Sequence, residues 1–157
     1  MIQDGSRVPK IRETDGHGRE VFDPVRRRWV ALTPEEWVRQ HIILELCDRY
    51  RYPMQLMQVE AAITLNGLTK RCDIVVYDRN MHPWMIVECK KEEVAISQKV
   101  VDQACRYNLV LQVPYLLLTN GLQRLCLAVD FSNKQLSQCA VPFYEETPSP
   151  DIPAGTI

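Results

Sequence analysis

Three stretches rich in β-favouring residues follow one another between two helical patterns, and this succession restricts the folds open to the chain. The stretches are residues 56–65, 71–78 and 84–90. Asn66-Gly67 lies between the first two, and residues 79–82 followed by Pro83 lie between the last two. Both connections are short enough for hairpins. The sequence therefore predicts three antiparallel strands in one sheet.

The first helical pattern begins with a strong start signal. Thr33 can cap a helix whose first residue is Pro34, and Glu36 stands where a capping box places its acidic partner. Apolar residues then recur at helical spacing until Tyr52-Pro53 ends the pattern. A well-buried helix is expected to precede the three strands.

The second helical pattern follows the strands. Ser97 can cap a helix that runs to about Gln112, and residues 113–119 form an apolar strand. Residues 125–131 and 135–141 then predict a final hairpin. The predicted class is α/β (α+β), with a central mixed sheet of four to five strands flanked by helices. Its element order is αβββαβ, followed by the C-terminal hairpin strand.

The ends of the chain differ in composition from its centre. Residues 1–18 are polar and predict an N-terminal arm, and a hairpin is expected around Asp23-Pro24-Val25-Arg26. Residues 145–157 are rich in proline and predict an unstructured tail. Between them, residues 19–144 are expected to form a single domain.

The composition excludes several classes of protein. Hydrophobic residues make up 46% and charged residues 25% of the 157 residues, which is typical of one folded domain. The longest apolar runs are shorter than the ~20 residues that cross a bilayer, so no membrane contact is expected. Six cysteines occur without a CxxC pair, and no leading apolar segment marks export. These features predict a reducing, cytoplasmic location.

The charge distribution restricts how the chain could contact DNA. The formal net charge is −1, so such contact must be local. The densest basic patch is Arg26, Arg27 and Arg28, and arginines can bind the phosphates that dominate affinity for nucleic acid. The alternative interpretation is a solvated hairpin face. We take these three arginines as candidate DNA-binding residues.

The third predicted strand changes abruptly from apolar residues to an acid, a thiol and a base. Glu88 and Lys90 lie two residues apart, so they share one face of the sheet. An acid-x-Lys triplet is weak evidence alone, and a surface ion pair at a strand end is its alternative interpretation. Its position after a buried strand makes the pair a candidate catalytic site.

The preceding strand also holds an acid in an apolar setting. With a four-residue hairpin loop, Asp78 faces Pro83 and Asp73 lies opposite Glu88, whereas a two-residue slip places Asp73 opposite Lys90. Either register gathers the three groups, but a slip of one residue separates them.

Opposed carboxylates repel each other unless a cation compensates them. Asp73, Glu88 and the backbone carbonyl of Cys89 form an oxygen-rich set suited to Mg²⁺, with Mn²⁺ as a substitute. Such an ion can polarise a phosphodiester and lower the pKa of a water. Lys90 would then assist through its charge or, with a depressed pKa, as a base. Both roles stay open.

The chain resembles the PD-(D/E)xK nuclease superfamily in one signature. This signature consists of Asp73, fourteen intervening residues and Glu88-Cys89-Lys90. The predicted element order also resembles the restriction-endonuclease-like core of that superfamily. Cys72 stands where the family often has proline, which departs from the literal motif only. The resemblance implies a metal-dependent nuclease centre at Asp73, Glu88 and Lys90.

Downstream, Gln103 and Tyr107 resemble a QxxxY motif of related nucleases. They lie on one helical face and could order a phosphate, a water or the lysine. Their alternative interpretation is a solvated or core-rim pair. This motif and residues 32–40 and 66–71 resemble the N-terminal domain family of type I restriction enzyme R subunits, in a stand-alone form. The resemblance covers roughly residues 10–144.

Two further acids are supporting candidates. Glu36 lies in the first helix, where related nucleases often place another metal-site carboxylate, and its alternative role is the capping box. Glu60 lies on the first of the three strands and could line the same sheet face, or it could be exposed.

The leading functional hypothesis is a divalent-metal-dependent DNA endonuclease-like domain that hydrolyses phosphodiester bonds in restriction or DNA processing. The alternative is a catalytically silent nuclease-fold module that binds DNA or a partner subunit. No GxxxxGK[ST] phosphate loop occurs, so a motor or specificity subunit is an expected partner. A purely structural interaction domain is the third hypothesis, and the sequence leaves the oligomeric state open.

Overall fold

A computed structural model describes residues 7–16 and 18–144 of the chain. The predicted C-terminal tail and the first six residues of the predicted arm lie outside this part. In chain order the elements are β1 Ile11–Thr14, β2 Gly18–Asp23, β3 Arg28–Ala31, α1 Pro34–Asp48, a 3-10 turn Met54–Leu56, β4 Met57–Leu65, β5 Leu68–Tyr77, β6 Pro83–Cys89, α2 Gln98–Leu111, β7 Tyr115–Thr119, β8 Arg124–Asp130 and β9 Gln135–Gln138.

The strands form two sheets. Strands β1, β2 and β3 make an antiparallel sheet, and β4 to β9 make a six-stranded sheet in chain order. Only the pairing of β6 with β7 is parallel within the larger sheet, because α2 connects these strands as a crossover. Two helices and a large mixed sheet confirm the predicted α/β class. The larger sheet has more strands than the four to five expected.

Strand β1 lies inside the segment that was expected to be an arm. It pairs with β2, with Ile11 opposite Val21. Three of its four residues are exposed, so it carries no apolar alternation that would distinguish it from a polar arm. The predicted hairpin is formed by β2 and β3.

The first helix begins where the sequence predicted. The Thr33 hydroxyl accepts a hydrogen bond from the Glu36 N–H at 3.1 Å, and Pro34 occupies the first turn. Ser97 holds the equivalent position before α2, but its side chain makes no capping hydrogen bond. None of the described helices is both long and apolar enough to span a membrane.

The two helices pack on opposite faces of the six-stranded sheet. Alternation along β6 sends Val87 and Cys89 into the core layer that contains Ile43 of α1. Ile86 points the other way, into the layer that contains Ala104 of α2. Burial of such aliphatic side chains stabilises each layer by roughly 1.5–3 kcal/mol per residue.

The pairing of β5 with β6 sets the register of the candidate site. Ile74 pairs with Val87, which puts the next positions, Asp73 and Glu88, across from each other. This is the direct register of the two that the sequence left open. The prediction that Asp78 faces Pro83 was wrong, because a register shift after Val76 makes Tyr77 the partner of Pro83.

Candidate functional site

Asp73 and Glu88 meet at the end of the β5–β6 ladder. The Asp73 N–H donates to Glu88 Oε1 at 3.3 Å, and the Cys89 N–H donates to Asp73 Oδ2 at 2.7 Å. Carboxylate oxygens thus bind backbone N–H groups here. Asp73 is 8% and Glu88 2% exposed, so the two acids are buried together.

Burial makes this acid pair electrostatically unbalanced. Desolvation and the neighbouring Asp73 carboxylate raise the pKa of Glu88 to about 8. An acid with such a pKa binds a proton or a cation near neutral pH. The pair is therefore suited to accept additional positive charge.

Lys90 follows directly after β6 and points toward α2. Its Nζ donates to Gln103 Oε1 at 3.0 Å, and Gln103 Nε2 donates to the Tyr107 hydroxyl oxygen at 3.3 Å. The Tyr107 hydroxyl donates to the Arg71 carbonyl oxygen at 3.1 Å, which connects the chain of hydrogen bonds to β5. Gln103 and Tyr107 therefore fix the position of the lysine amine. Among the described residues Lys90 makes no ion pair with Asp73 or Glu88.

Arg39 of α1 is a member of the site that sequence reasoning missed. Its Nη2 lies 2.7 Å from Asp73 Oδ1, and its Nη1 lies 2.5 Å from Glu36 Oε2. Burial disfavours the charged guanidinium, but the attraction of Asp73 and Glu36 outweighs burial and raises the pKa of Arg39. Its spacing from Glu36 indicates a helical ion pair, but spacing cannot show that this face is buried against the sheet.

Glu36 and Glu60 lie beside Arg39 and not in contact with Glu88. Glu36 Oε1 accepts from Arg26 Nη2 at 2.6 Å and from Gln40 Nε2 at 2.9 Å. The carboxylate is thus occupied by these partners and does not complete a capping box with Thr33. The two supporting acids hold arginines close to Asp73.

Glu60 has an unusual backbone conformation. Its φ of 52° is in the left-handed region, between the ladder pairs that join β4 to β5 on either side of Asp73. Its Oε2 lies 3.1 Å from Arg26 Nη1 and 3.5 Å from Arg71 Nη1. A strained residue at this point directs a carboxylate toward the arginines of the site.

The three candidate DNA-binding arginines separate in the structure. The Arg26 side chain is 13% exposed and pairs with Asp23, Glu36 and Glu60, so its guanidinium is not available to a phosphate. Asp23 Oδ1 accepts the N–H groups of both Val25 and Arg26, which turns the side chain inward. Arg27 and Arg28 are exposed.

Glu35 is a second residue that sequence reasoning missed. Burial and the Asp73 carboxylate raise its pKa, and its Oε1 lies 3.7 Å from Arg39 Nη2. It directly precedes Glu36, and the capping-box spacing from Thr33 indicated Glu36 as the candidate instead. Its side chain is 45% exposed, so Glu35 faces the open side of the site.

A model of the family described as "Type I restriction enzyme R protein N terminus (HSDR_N)" matches residues 34–141. The chain belongs to this family. The match runs from α1 to beyond β9 and includes Asp73, Glu88, Lys90, Gln103 and Tyr107. A comparison with curated proteins finds no match.

This R-protein N-terminal domain is thus placed in the context of restriction. The match leaves out β1, β2 and β3, although Arg26 of the β2–β3 turn contacts Glu36 inside it. The N-terminal sheet therefore contributes a charged group to a site that otherwise lies within the matched region.

The donor set of the domain fits a hard divalent cation. No three His, Cys, Asp or Glu side chains in residues 7–16 and 18–144 converge as a complete cage. Mg²⁺ does not require one, because it commonly binds through one or two carboxylates and keeps several waters. Two adjacent buried carboxyl groups are the kind of ligand this requires, and Arg39 is the charge that already occupies one oxygen of Asp73.

Proposed function

We propose that this domain is a divalent-metal-dependent deoxyribonuclease that hydrolyses phosphodiester bonds in a restriction or DNA-processing context. The observation that carries the proposal is the buried Asp73–Glu88 pair, with Glu88 two residues before a lysine that Gln103 holds. Opposed acids next to a fixed amine form the donor set and the base that such hydrolysis needs.

The proposed cation is Mg²⁺, with Mn²⁺ as a substitute, held by Asp73, Glu88 and the Cys89 backbone carbonyl. When bound, it would supply Lewis-acid polarisation of a phosphodiester oxygen. Lys90 acts at the same phosphate through its positive charge or accepts a proton as a neutral amine. Gln103 and Tyr107 are positioning residues, because their hydrogen bonds set where the Lys90 amine stands.

DNA is the proposed substrate, and exposed Arg27 and Arg28 are the proposed contacts to its backbone. Arg26 is withdrawn from this set because three carboxylates hold it. A motor or specificity subunit is the proposed partner. Each exposed arginine that pairs with a phosphate would contribute to a salt-dependent affinity.

The alternative function is a catalytically silent module that binds DNA or a partner subunit. One observation favours it: the Arg39 guanidinium already neutralises Asp73 at 2.7 Å, as a permanent substitute for a cation would. This alternative predicts binding of DNA without cleavage and without metal affinity.

Incubation of the purified chain with supercoiled plasmid and Mg²⁺ or Mn²⁺ tests the proposal. Lys90→Ala should lower the rate of cleavage by at least about 100-fold, in the range expected for loss of a proton-transfer or charge-stabilising group. Lys91→Ala is the matched control, since this exposed lysine is adjacent in sequence but makes none of the Lys90 contacts. It should retain the wild-type rate.

Three outcomes separate the hypotheses. Cleavage that depends on the cation and on Lys90 supports the nuclease. Cleavage that is equal in wild type and Lys90→Ala contradicts the proposed site. A gel shift of DNA with no cleavage in either cation supports the silent module.

A further inference from the structure

Arg39 is the most completely enclosed positive charge next to the Asp73–Glu88 pair. Its side chain is 6% exposed, and its guanidinium contacts carboxylates from both α1 and β5. A buried arginine in such surroundings substitutes for a counter-ion, since it supplies the charge that opposed carboxylates otherwise lack.

The two ends of this guanidinium are held differently. Nη1 is anchored by Glu36, which Arg26 and Gln40 hold in turn. Nη2 lies 2.7 Å from Asp73 Oδ1 and 3.7 Å from Glu35 Oε1, so one nitrogen has two carboxylates within reach.

The contacts of Arg39 are also incomplete. Its Nε is buried without a hydrogen-bond partner among the residues that the structure describes. A buried donor without a partner is unfavourable, so the guanidinium is not fully satisfied in its present place. Glu35 and Glu36 are neighbours in α1, so an exchange of Nη2 from Asp73 to Glu35 would place both partners of the guanidinium on one helix.

We propose that Arg39 is a resident counter-ion of Asp73, and that binding of a divalent cation at Asp73 and Glu88 transfers its guanidinium from Asp73 to Glu35. The inference rests on the metal site of the proposed function. Nη2 already occupies Asp73 Oδ1 and the Cys89 N–H donates to Oδ2, so a cation at Asp73 competes with the guanidinium for this carboxylate. Arg39 is thus a positioning residue that sets the affinity of the site for the cation. Glu35 is its alternative partner.

A double-mutant cycle of Mn²⁺ binding, measured by calorimetry on the full chain, tests this exchange. Arg39→Gln removes the competing charge and should tighten Mn²⁺ binding by about tenfold, as the loss of a close charge interaction does. Glu35→Gln removes the alternative partner, keeps Arg39 on Asp73 and should weaken binding by a similar factor of about ten. In the Arg39→Gln background, Glu35→Gln should have little further effect.

Arg12→Gln is the matched control, because Arg12 is exposed and pairs with Glu20 in the N-terminal sheet. Its Mn²⁺ affinity should equal that of the wild type. Circular dichroism spectra should show that each variant folds.

Arginine side-chain NMR of the wild-type chain serves as a second measurement should Arg39→Gln fail to fold. The proposal expects one solvent-protected arginine Nε signal to move with Mg²⁺, and an arginine spectrum unchanged by Mg²⁺ overturns it.

The outcomes distinguish this inference from the proposed function. Unchanged or weaker Mn²⁺ binding by Arg39→Gln overturns the role of Arg39 and leaves the metal site intact. An equal loss from Glu35→Gln in both backgrounds also overturns it, since Glu35 would then be a direct ligand. Absence of Mn²⁺ binding in every variant overturns the metal site and the inference together.

Discussion

Replacement of Glu88 by glutamine tests the electrostatics of the site with little change of shape. Glutamine keeps an oxygen for the Asp73 N–H but cannot ionise. In the wild type, burial and the Asp73 carboxylate raise the Glu88 pKa from its usual 4.5 to about 8. The folded protein therefore keeps a proton on Glu88 over a pH range in which the unfolded chain has lost it.

The sign of the effect follows from linkage. Below about pH 4.5 Glu88 is neutral in both states, so it costs the fold nothing. Between about pH 4.5 and 8 the native state binds more protons than the unfolded state, and stability falls by about 1.36 kcal/mol per pH unit. Above about pH 8 the loss is complete and amounts to as much as ~5 kcal/mol.

Urea unfolding from pH 4 to pH 9 in the presence of a chelator measures this loss. The free energy of unfolding of Glu88→Gln should match the wild type near pH 4 and exceed it by several kcal/mol near pH 9. Glu92→Gln, at an exposed position, should follow the wild type throughout. Parallel pH profiles for wild type and Glu88→Gln would refute the reasoning, because they would show that Glu88 ionises equally in both states.

Two further predictions concern the buried Arg26 and the pair of cysteines Cys126 and Cys139. Arg26→Gln should destabilise the fold by ~3 kcal/mol in urea unfolding, since it leaves buried carboxylates without their counter-charge, whereas exposed Arg27→Gln should change stability by less than ~0.5 kcal/mol. Equal losses in these two variants would contradict the inward position of Arg26. Diamide should join Cys126 to Cys139, whose Sγ atoms lie 3.6 Å apart, and peptide mass spectrometry should find the linked peptides in wild type but not in Cys139→Ser. Linked peptides from another cysteine pair in place of these two would contradict the prediction that the 3.6 Å distance between Cys126 and Cys139 decides which thiols are oxidised.

The register that places Asp73 across from Glu88 could be predicted because it depends on local rules. Period-two alternation fixes Glu88 and Lys90 on one face, and the short connection between β5 and β6 leaves few registers. The spacing of Gln103 and Tyr107 within α2 likewise depends on helical geometry alone. The shift near Tyr77 did not disturb the site, because it lies at the hairpin end of the ladder.

The arginine contacts could not be predicted, since they depend on how separate elements pack. Arg39 lies near two acids on its own helix, a pattern that usually indicates a solvated ion pair. Only the placement of α1 against β5 brings it to Asp73. Arg26 belongs to a basic run that favours a surface role, and the turn formed around Asp23 directs it inward. Tertiary packing gives both residues functions that their sequence neighbours do not suggest.

Because these two arginines are buried, the number of basic residues in the chain overstates the positive charge that its surface offers to DNA. Arg26 and Arg39 neutralise carboxylates inside the domain, so they contribute nothing to an electrostatic surface for DNA. The proposed phosphate binding would then rely on the exposed arginines, on a cation at the acid pair or on a partner subunit. A cation that displaces Arg39 from Asp73 would add its own charge while the guanidinium stays nearby, and this makes the site more attractive to a phosphate. If the proposed metal site and DNA contact are both present, binding of the cation and binding of DNA should therefore reinforce each other.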